Sequence, residues 1–264
     1  MAQIYTIKNK MKEKLNAGKI AVGTGLMWPD PTAVESFGAM GFDFFRIEGE
    51  HGVASYQELS LLVKTAYLYD ITPAARVPGN VEHEILHYLD AGIMSITVPH
   101  VKNKQDAEKA VYFAKHNPIG NRGDFYARAG YYGKNLSQRE YYDAVNETTM
   151  VIALIEDYEG VEKCEEIMKT PGVDAIDIGP YDLSQSMGIP EWKHVQEAYE
   201  RVIKTAVSLN MPVQLGTAGN YRDQETVRKY VEMGCRMFLF GGFFQHGVSE
   251  CFKFVDELRN DYGI

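Results

Sequence analysis

Apolar residues along the chain alternate between short β-rich runs and longer stretches with helical spacing. Eight short runs, bounded by turn residues, predict eight strands. They are IAVGTGLM (20–27), FDFFRIEG (42–49), TPAARV (72–77), SITVPH (95–100), MVIALIE (150–156), DAIDIG (174–179), PVQLGT (212–217) and RMFLFG (236–241). The intervening stretches carry apolar residues at i, i+3, i+4 and i+7, as at Leu59, Leu62, Val63 and Ala66, which predicts amphipathic helices.

Glycines punctuate this alternation. Gly41, Gly92, Gly172 and Gly234 each follow a helical pattern and precede a predicted strand, where glycine commonly ends a helix. Strict β/α alternation predicts an α/β fold with a parallel sheet covered by helices. Eight units with no linker favour one closed (β/α)8 barrel domain over residues 1–264.

An open, doubly wound sheet is the alternative. It predicts a G-x-G-x-x-G turn after the first strand, where a helix N-terminus would bind a dinucleotide. This chain has GTGLMWPDP there and lacks that spacing. The sequence therefore favours the barrel.

Composition narrows the function classes. The 264 residues carry 27 Lys+Arg against 36 Asp+Glu, a net charge of −9, which argues against nucleic acids and anionic membranes as partners. No apolar stretch approaches the roughly 20 residues of a membrane span, and the first residues resemble no signal peptide. The three cysteines form no C-x-x-C pair. We therefore expect a soluble, cytoplasmic protein with reduced thiols.

Polar residues cluster where the predicted strands end, which is the active-site face of this fold. They include Glu48, Glu50, His51, Arg76, His100, Glu156, Asp157, Asp177 and Asp182. No predicted strand contains a lysine that could form a Schiff base, and no G-x-S-x-G motif supplies a serine nucleophile. The remaining chemistry is that of carboxylates, a histidine and an arginine around a divalent cation.

Each candidate residue has a functional and a structural interpretation. Glu156 and Asp182 could give two oxygen ligands to Mg²⁺ or Mn²⁺, or Asp182 could instead cap the helix that follows it. Arg76 could hold a carboxylate or enolate oxygen, or form a salt bridge at the barrel mouth. His51 is the candidate general base, with a structural histidine as the alternative.

The segment 117–147 breaks the alternation. It is rich in glycine and tyrosine and too long for a simple connection between strand and helix, so we expect an irregular functional loop. Its tyrosines either line a substrate pocket or pack at a subunit interface.

Several strings resemble a known family. FRIEGEHG, AARVPGN, YLDAGIMSITVPHV, GNRG and VIALIED followed by GVDAIDIGPYDLSQSMG are similar to the pyruvate-dependent class II aldolases of the 4-hydroxy-2-oxoheptanedioate and 2-dehydro-3-deoxyglucarate aldolase family. The resemblance runs from about residue 12 to 255. It implies a divalent metal ion, Mg²⁺, Mn²⁺ or Co²⁺, held by Glu156 and Asp182 and chelated by pyruvate.

The resemblance also implies residue roles. Arg76 would stabilise the pyruvate enolate and His51 would act as general base, with Glu50 near the metal. Backbone groups of the segment Gly179, Pro180, Tyr181 and Asp182 would receive the pyruvate carboxylate. Members of the family are hexamers with an exchanged C-terminal helix, which implies the same assembly here.

Two positions depart from the family pattern. Glu48 stands where the family commonly has Asp, and Leu154 stands where it has Gln. We expect the first change to alter how His51 is oriented, a task that could pass to Asp90. The second removes a polar contact near the metal, and together they leave the aldehyde acceptor open.

The sequence leaves three functions to compare. The first is a metal-dependent aldolase that cleaves or forms a 4-hydroxy-2-oxo acid from pyruvate and an aldehyde. The second is a decarboxylase of oxaloacetate or a related 2-oxo diacid, which uses the same enolate. The third is a barrel retained as a binding protein, suggested only by Glu48 and Leu154.

Overall fold

The computed structural model describes residues 8–217 and 224–262, and its eight parallel strands close into a barrel. The strands are β1 (Ala21–Leu26), β2 (Phe44–Glu48), β3 (Thr72–Arg76), β4 (Ser95–Val98), β5 (Met150–Ile155), β6 (Ala175–Ile178), β7 (Val213–Thr217) and β8 (Met237–Phe240). Each strand pairs with the next along the chain, and β8 pairs with β1. The predicted (β/α)8 barrel is confirmed.

Helices fill the connections between the strands. They are α1 (Lys10–Asn16), α2 (Pro31–Ala39), α3 (Tyr56–Leu68), α4 (Glu82–Ala91), α5 (Lys104–Ala114), α6 (Gln138–Thr148), α7 (Tyr158–Glu162), α8 (Cys164–Met168), α9 (Pro180–Ser186), α10 (Trp192–Ser208), α11 (Gln224–Glu232) and α12 (Phe243–Tyr262), with a 3₁₀ stretch at Arg128–Gly133. They surround the barrel, as expected for β/α alternation.

Local sequence signals explain the helix boundaries. In α3, Ser55 and Glu58 form a capping box, in which each side chain accepts a hydrogen bond from the other residue's backbone N–H. Helix α4 ends at Gly92, whose backbone adopts the left-handed conformation, with φ +107°. A side chain there would be strained, which is why glycine occupies this position.

Side chains inside the barrel change from apolar to polar along the strands. Near the amino ends, Phe44, Ala74, Met150 and Ile152 form one apolar cluster, with Met237 and Leu239 from β8. Because side chains alternate across a strand, every second residue of β5 points inward, and the next in that series are Leu154 and then Glu156. The barrel interior is therefore apolar at its base and charged at its mouth.

Helix α1 covers the base of the barrel. Its Met11 is fully buried within the interior apolar cluster, and the backbone N–H of Met11 donates to Thr72 Oγ1. Two ion pairs hold the helix in place: Lys12 Nζ lies 3.0 Å from Asp174, and Lys14 Nζ lies 2.6 Å from Asp43. Helix α1 thus closes the amino end of the barrel.

The segment 117–147 differs from the irregular loop that the sequence predicted. It contains the 3₁₀ stretch, and α6 begins at its Gln138 behind a capping box of Ser137 and Glu140. Tyr141 of α6 is fully buried and donates its hydroxyl hydrogen to the carbonyl of Phe125. The prediction is confirmed over residues 117–127, which contain only turns and irregular backbone, and is wrong over 138–147. There, bulky tyrosines replace the aliphatic residues that usually mark a helical period.

None of the helices in the described ranges is long and apolar enough to cross a membrane. All three cysteines are free; Cys164 and Cys235 are buried, whereas Cys251 is exposed.

Candidate active site

Charged side chains from four consecutive strands meet at the carboxyl end of the barrel. Glu48 ends β2 and lies in register with Arg76 at the end of β3. His100 comes two residues after β4, and Glu156 directly follows β5. Because all the strands are parallel, these ends lie at one rim, and the predicted convergence of polar residues is present.

Glu48 organises the turn that follows β2. The single N–H of Arg76 Nε donates a bifurcated hydrogen bond to the two oxygens of the Glu48 carboxylate, each of which lies 2.8 Å from Nε. Oε1 also accepts the backbone N–H groups of Glu50 at 2.9 Å and His51 at 3.2 Å. A charged, buried carboxylate thus fixes the loop and the guanidinium together.

The turn also depends on Gly49, whose backbone passes very close to β3. A Cβ at this position would lie 2.4 Å from the carbonyl oxygen of Arg76 and 2.3 Å from Tyr88 Oη. Only glycine permits this approach, which brings Glu50 beside Arg76. Arg76 Nη1 then lies 3.0 Å from Glu50 Oε2.

Arg76 therefore forms salt bridges at the barrel mouth, with Glu48 and Glu50, which was the structural alternative to a role in substrate binding. Its Nη2 group donates no hydrogen bond to any residue in the described ranges. Partial burial alone would lower the pKa of Arg76, but its bonds to Glu48 and the charges of Glu50 and Glu156 raise it. The guanidinium stays charged at the mouth of the barrel.

Glu156 is the most deeply buried carboxylate of this rim, with only 1% of its side chain exposed. Burial raises the pKa of Glu156 to about 7, although a hydrogen bond from the backbone N–H of His100 and the charges of His100 and Arg76 act in the opposite direction. Glu50 adds to the increase by repulsion. The site thus holds a carboxylate that lacks enough compensating positive charge.

His100 adopts an unusual backbone conformation, with φ +53°. This left-handed geometry places its backbone N–H 3.0 Å from Glu156 Oε1 and its ring Nδ1 2.9 Å from Asp157 Oδ2. Burial would lower the pKa of His100, but Asp157, Glu156 and Glu50 together raise it. Non-glycine residues in this region often belong to functional sites.

Glu50, His100 and Glu156 form a group of metal-ligating type, with ligand atoms that all lie within 4.8 Å of one another. His100 Nε2 is 3.6 Å from Glu50 Oε1. Carboxylate and imidazole are ligands of divalent cations, and the residues present therefore fit a metal ion.

Asp182 lies outside this group. Helix α9 already begins at Pro180 behind the N-cap Gly179, so Asp182 sits in the first turn and does not cap the helix. The capping alternative is therefore wrong. Gly179 does lie against the site, because a Cβ there would be 2.7 Å from Glu156 Oε2. Within the described ranges, no residue makes a hydrogen bond or ion pair with the Asp182 carboxylate.

The other residues expected to bind substrate start α9. Pro180 has no backbone N–H to donate, so the free amides of this turn belong to Tyr181 and Asp182, with Gly179 N–H already bonded to Ile155 O at 3.1 Å. The Tyr181 side chain is largely exposed. His51 is exposed as well, and its backbone is held by Glu48.

Asp90 lies far from this rim within the chain. It is near the end of α4, which runs back to the amino end of β4 at Ser95. Its carboxylate pairs at 2.8 Å with Arg122, whose side chain is almost fully buried. Asp90 therefore does not orient His51 within one chain, and this expectation is corrected.

One buried lysine exists outside the strands. Burial lowers the pKa of Lys115 to about 8, but its Nζ donates to Asn146 O at 3.0 Å and lies 3.2 Å from Asp174 at the base of the barrel. Lys115 is thus bound to structural partners at the end opposite the site.

Below the rim, a second polar layer crosses the barrel interior. Arg46 of β2 and Gln214 of β7 both donate to Asp177 Oδ2 of β6. Leu154 pairs in register with Asp177 and is buried. The leucine gives Glu156 an apolar neighbour on the inward side of β5, which contributes to its desolvation.

Sequence reasoning placed Glu50 and His100 at strand ends but did not group them with Glu156. Their positions at the ends of β2 and β4 were the available signal. The left-handed backbone of His100, which brings its ring toward Asp157, has no counterpart in the hydrophobic pattern.

Known proteins resemble the chain over most of its length. The model of the HpcH/HpaI aldolase/citrate lyase family matches residues 26–239. A 4-hydroxy-2-oxo-heptane-1,7-dioate aldolase of Shigella flexneri is 29% identical over 245 residues, 89% of this chain and 87% of that protein. A Salmonella typhimurium protein of the same name is also 29% identical over 245 residues, 89% of each chain.

Solved structures agree with the fold. An HpcH/HpaI aldolase from Desulfitobacterium hafniense superposes with a TM-score of 0.86 at 28% identity, covering 94% of this chain and 96% of that one. A citrate synthase, SbnG, superposes with a TM-score of 0.85 at 27% identity, covering 97% of this chain and all of that one.

Proposed function

Because the chain belongs to the HpcH/HpaI aldolase/citrate lyase family, and is therefore a carbon–carbon lyase, we propose that it cleaves or forms a 4-hydroxy-2-oxo acid through a pyruvate enolate. The observation that carries this proposal is the convergence of Glu156 with Glu50 and His100 at the barrel mouth. A buried carboxylate with a raised pKa, surrounded by further acidic groups, is a site that a divalent cation would stabilise.

Glu156 and Asp182 are the proposed metal ligands. Glu156 is fixed by the backbone N–H of His100, and Asp182 lies one helical turn from Gly179, which contacts Glu156. When bound, a divalent cation supplies Lewis-acid polarisation of the 2-oxo group. The ion is Mg²⁺, Mn²⁺ or Co²⁺ in this proposal.

Arg76 stabilises the negative charge that develops on the substrate. Its Nε and Nη1 groups are held by Glu48 and Glu50, so the guanidinium is oriented before substrate arrives. A charge fixed in advance requires little reorganisation during the reaction. Nη2 is the group left for the substrate oxygen.

His51 is the proposed general base and Glu48 the residue that positions it. The imidazole is exposed at the rim, and its backbone N–H is bound by Glu48 Oε1. In the cleavage direction, His51 accepts the proton of the 4-hydroxyl group, the C3–C4 bond breaks, and an aldehyde and pyruvate enolate form. Protonation of the enolate at C3 then gives pyruvate.

The carboxylate of pyruvate is proposed to bind at the start of α9. The N–H groups of Tyr181 and Asp182 lie in the first helical turn, where backbone donors lack partners within the helix. This places the acid end of the substrate beside Gly179 and Glu156.

Helix α12 is proposed to exchange between subunits of a hexamer. Phe252 and Phe254 on this helix are 65% and 61% exposed, which is unusual for two large apolar side chains so close together. A second copy of the chain would cover them. Sedimentation velocity measures the assembly, and a monomer would contradict it.

A cytoplasmic location completes the proposal. All three cysteines are free, as is usual in a reducing compartment. Cell fractionation tests this location.

The test is a retro-aldol and aldol screen with pyruvate and a panel of aldehydes, including charged ones, before and after chelation. We expect chelation to abolish activity and Mg²⁺, Mn²⁺ or Co²⁺ to restore it. In D₂O, the enzyme should exchange the methyl hydrogens of pyruvate only when the cation is present. This exchange measures enolate formation without any aldehyde substrate.

Two outcomes would contradict the aldolase. A lysine adduct trapped by borohydride and pyruvate would replace the enolate mechanism with Schiff-base chemistry. Decarboxylation of oxaloacetate without methyl exchange or retro-aldol activity would favour the decarboxylase instead.

A further inference from the structure

We propose that His100 is a nitrogen ligand of the metal ion, oriented by Asp157, and that it makes the site select transition-metal ions over Mg²⁺. This inference rests on the proposed metal-dependent function. It adds an imidazole to a set otherwise built from carboxylate oxygens.

The two ring nitrogens of His100 have different environments. Nδ1 lies 2.9 Å from Asp157 Oδ2, a distance typical of a charge-assisted hydrogen bond. Nε2 is 3.6 Å from Glu50 Oε1, which is too long for a hydrogen bond. Two ligands that share one cation at about 2.1 Å are separated by roughly 3 to 4.2 Å, so the distance from Nε2 to Glu50 suits joint ligation. Nδ1 also lies 3.6 Å from Glu156 Oε1, but its hydrogen bond to Asp157 leaves Nε2 as the nitrogen for the metal.

The side chain of Asp157 supports this assignment, because it bonds to His100 and does not cap the helix that it precedes. It is the N-cap of α7, where an aspartate side chain usually accepts a hydrogen bond from the first turn. Here the side chain makes no capping bond and turns to His100. Histidines that bind metals commonly donate their other ring N–H to a carboxylate in this way.

The backbone of His100 gives a third, independent argument. Its φ of +53° is unfavourable for a histidine, and the left-handed turn brings both its N–H and its ring to the Glu156 side of the rim. Conformations of this kind persist where the surrounding structure or a function requires them. The half-exposed ring adds little to the core, so the strain is not explained by packing.

Metal preference follows from ligand chemistry. Oxygen-only sites suit Mg²⁺, whereas an imidazole nitrogen favours Co²⁺ and Zn²⁺ by the usual order of affinities. We therefore expect the wild-type protein at pH 8 to bind Co²⁺ more tightly than Mg²⁺. His100→Ala should reduce that preference at least about tenfold, with a smaller reduction in Asp157→Asn.

The direct test is pulsed EPR of the metal-stripped, full-length protein loaded with Mn²⁺. We expect ¹⁴N modulation from a coordinated imidazole in the wild type and its loss in His100→Ala. His194→Ala is the matched control, because His194 also pairs with a carboxylate, Glu197 at 3.3 Å, but lies on the exposed face of α10. That variant should keep the modulation.

The outcomes separate this inference from the proposed function. Tight Mn²⁺ binding without ¹⁴N modulation in the wild type would overturn ligation by His100 and leave the metal-dependent function in place. Modulation that persists in His100→Ala would also overturn it. No binding of Mn²⁺ or Co²⁺ at millimolar concentration would overturn the metal site itself.

Discussion

The two ends of the barrel both contain charged groups away from water, yet they differ in how those charges are paired. At the base, Lys12 and Lys115 share Asp174 and also donate to backbone carbonyls, so each of these two lysines has several acceptors. At the mouth, the four carboxylates of Glu48, Glu50, Glu156 and Asp157 share three groups, Arg76, Lys102 and His100, of which His100 is cationic only when protonated.

This difference distinguishes a structural cluster from a site. Burial of a charge is unfavourable unless partners compensate for it. At the base, Asp174 and backbone carbonyls supply acceptors for both lysines, although burial still lowers the pKa of Lys115 to about 8. At the mouth the compensation is incomplete, and burial together with the charge of Glu50 raises the pKa of Glu156 to about 7. The mouth is therefore built to receive a cation, and the base to hold α1.

The largest expected effects come from removing one carboxylate at each end of the barrel, that of Glu156 at the mouth and that of Asp174 at the base. On the proposed function, Glu156→Gln should lower retro-aldol activity by at least about 1,000-fold, or about 4 kcal/mol, because the proposed cation would lose its central ligand. Its thermal stability without metal should not fall, because a desolvated carboxylate is removed. Steady-state kinetics and thermal unfolding measure both.

Asp174→Asn is the matched change at the base. It leaves Lys12 and Lys115 without their shared carboxylate and should destabilise the fold by about 3 kcal/mol. Activity per folded molecule should stay within about twofold. If Glu156→Gln instead lost stability and kept activity, the two ends would have the opposite roles.

A substitution of Asp90 is the next test, because it shows whether this residue stabilises the fold or acts on the catalytic residues. Asp90→Ala leaves the buried guanidinium of Arg122 without its carboxylate partner, and the loss should be about 3 kcal/mol of folding free energy. The pH profile of activity should not change, since Asp90 does not reach His51 within the chain.

The control for Asp90 is a surface pair. Asp143→Ala removes an exposed partner of Arg139 at i,i+4 on α6 and should cost under about 1 kcal/mol. Chemical denaturation gives both values. A shifted pH profile in Asp90→Ala would show that Asp90 acts on His51, for example across subunits.

The order of elements already places Asp90 at the amino end of the barrel, which the prediction of Asp90 as a partner of His51 overlooked, whereas the metal-ligating group could not be predicted. Eight strands follow from runs such as MVIALIE because apolar, β-branched residues dominate them. A residue at the end of α4 must then lie at the amino end of β4. Glu50, His100 and Glu156, by contrast, are separated along the chain and meet only through strand order and the left-handed turn at His100.

In the metal-free protein, Glu156 should also make the free energy of unfolding depend on pH, by less than the effects of the substitutions above. The pKa of Glu156 is about 7 in the fold, against 4.5 for an ordinary glutamate. Between these values the folded protein binds more protons than the unfolded chain, so the contribution of Glu156 to stability is present below pH 4.5 and lost as the pH rises through 7.

Comparison with Glu156→Gln isolates this contribution from other titrations. The difference in unfolding free energy between the wild type and Glu156→Gln should change by on the order of 2 kcal/mol between pH 4.5 and pH 8. Denaturant titrations at several pH values measure it. A difference that does not vary with pH would mean that Glu156 ionises as an ordinary surface glutamate.

The smallest expected effect concerns Leu154, the apolar residue directly below Glu156 on the inward side of β5. Leu154→Gln places an amide donor there, which should stabilise the ionised Glu156 and lower its pKa slightly. Because protons compete with the cation for Glu156, affinity for Mn²⁺ should improve a few-fold at pH 6 and stay nearly constant at pH 8. Calorimetric titration at the two pH values separates this change in protonation from a new metal contact, which would strengthen binding equally at both. Leu154→Met keeps the site apolar and should leave both affinities unchanged.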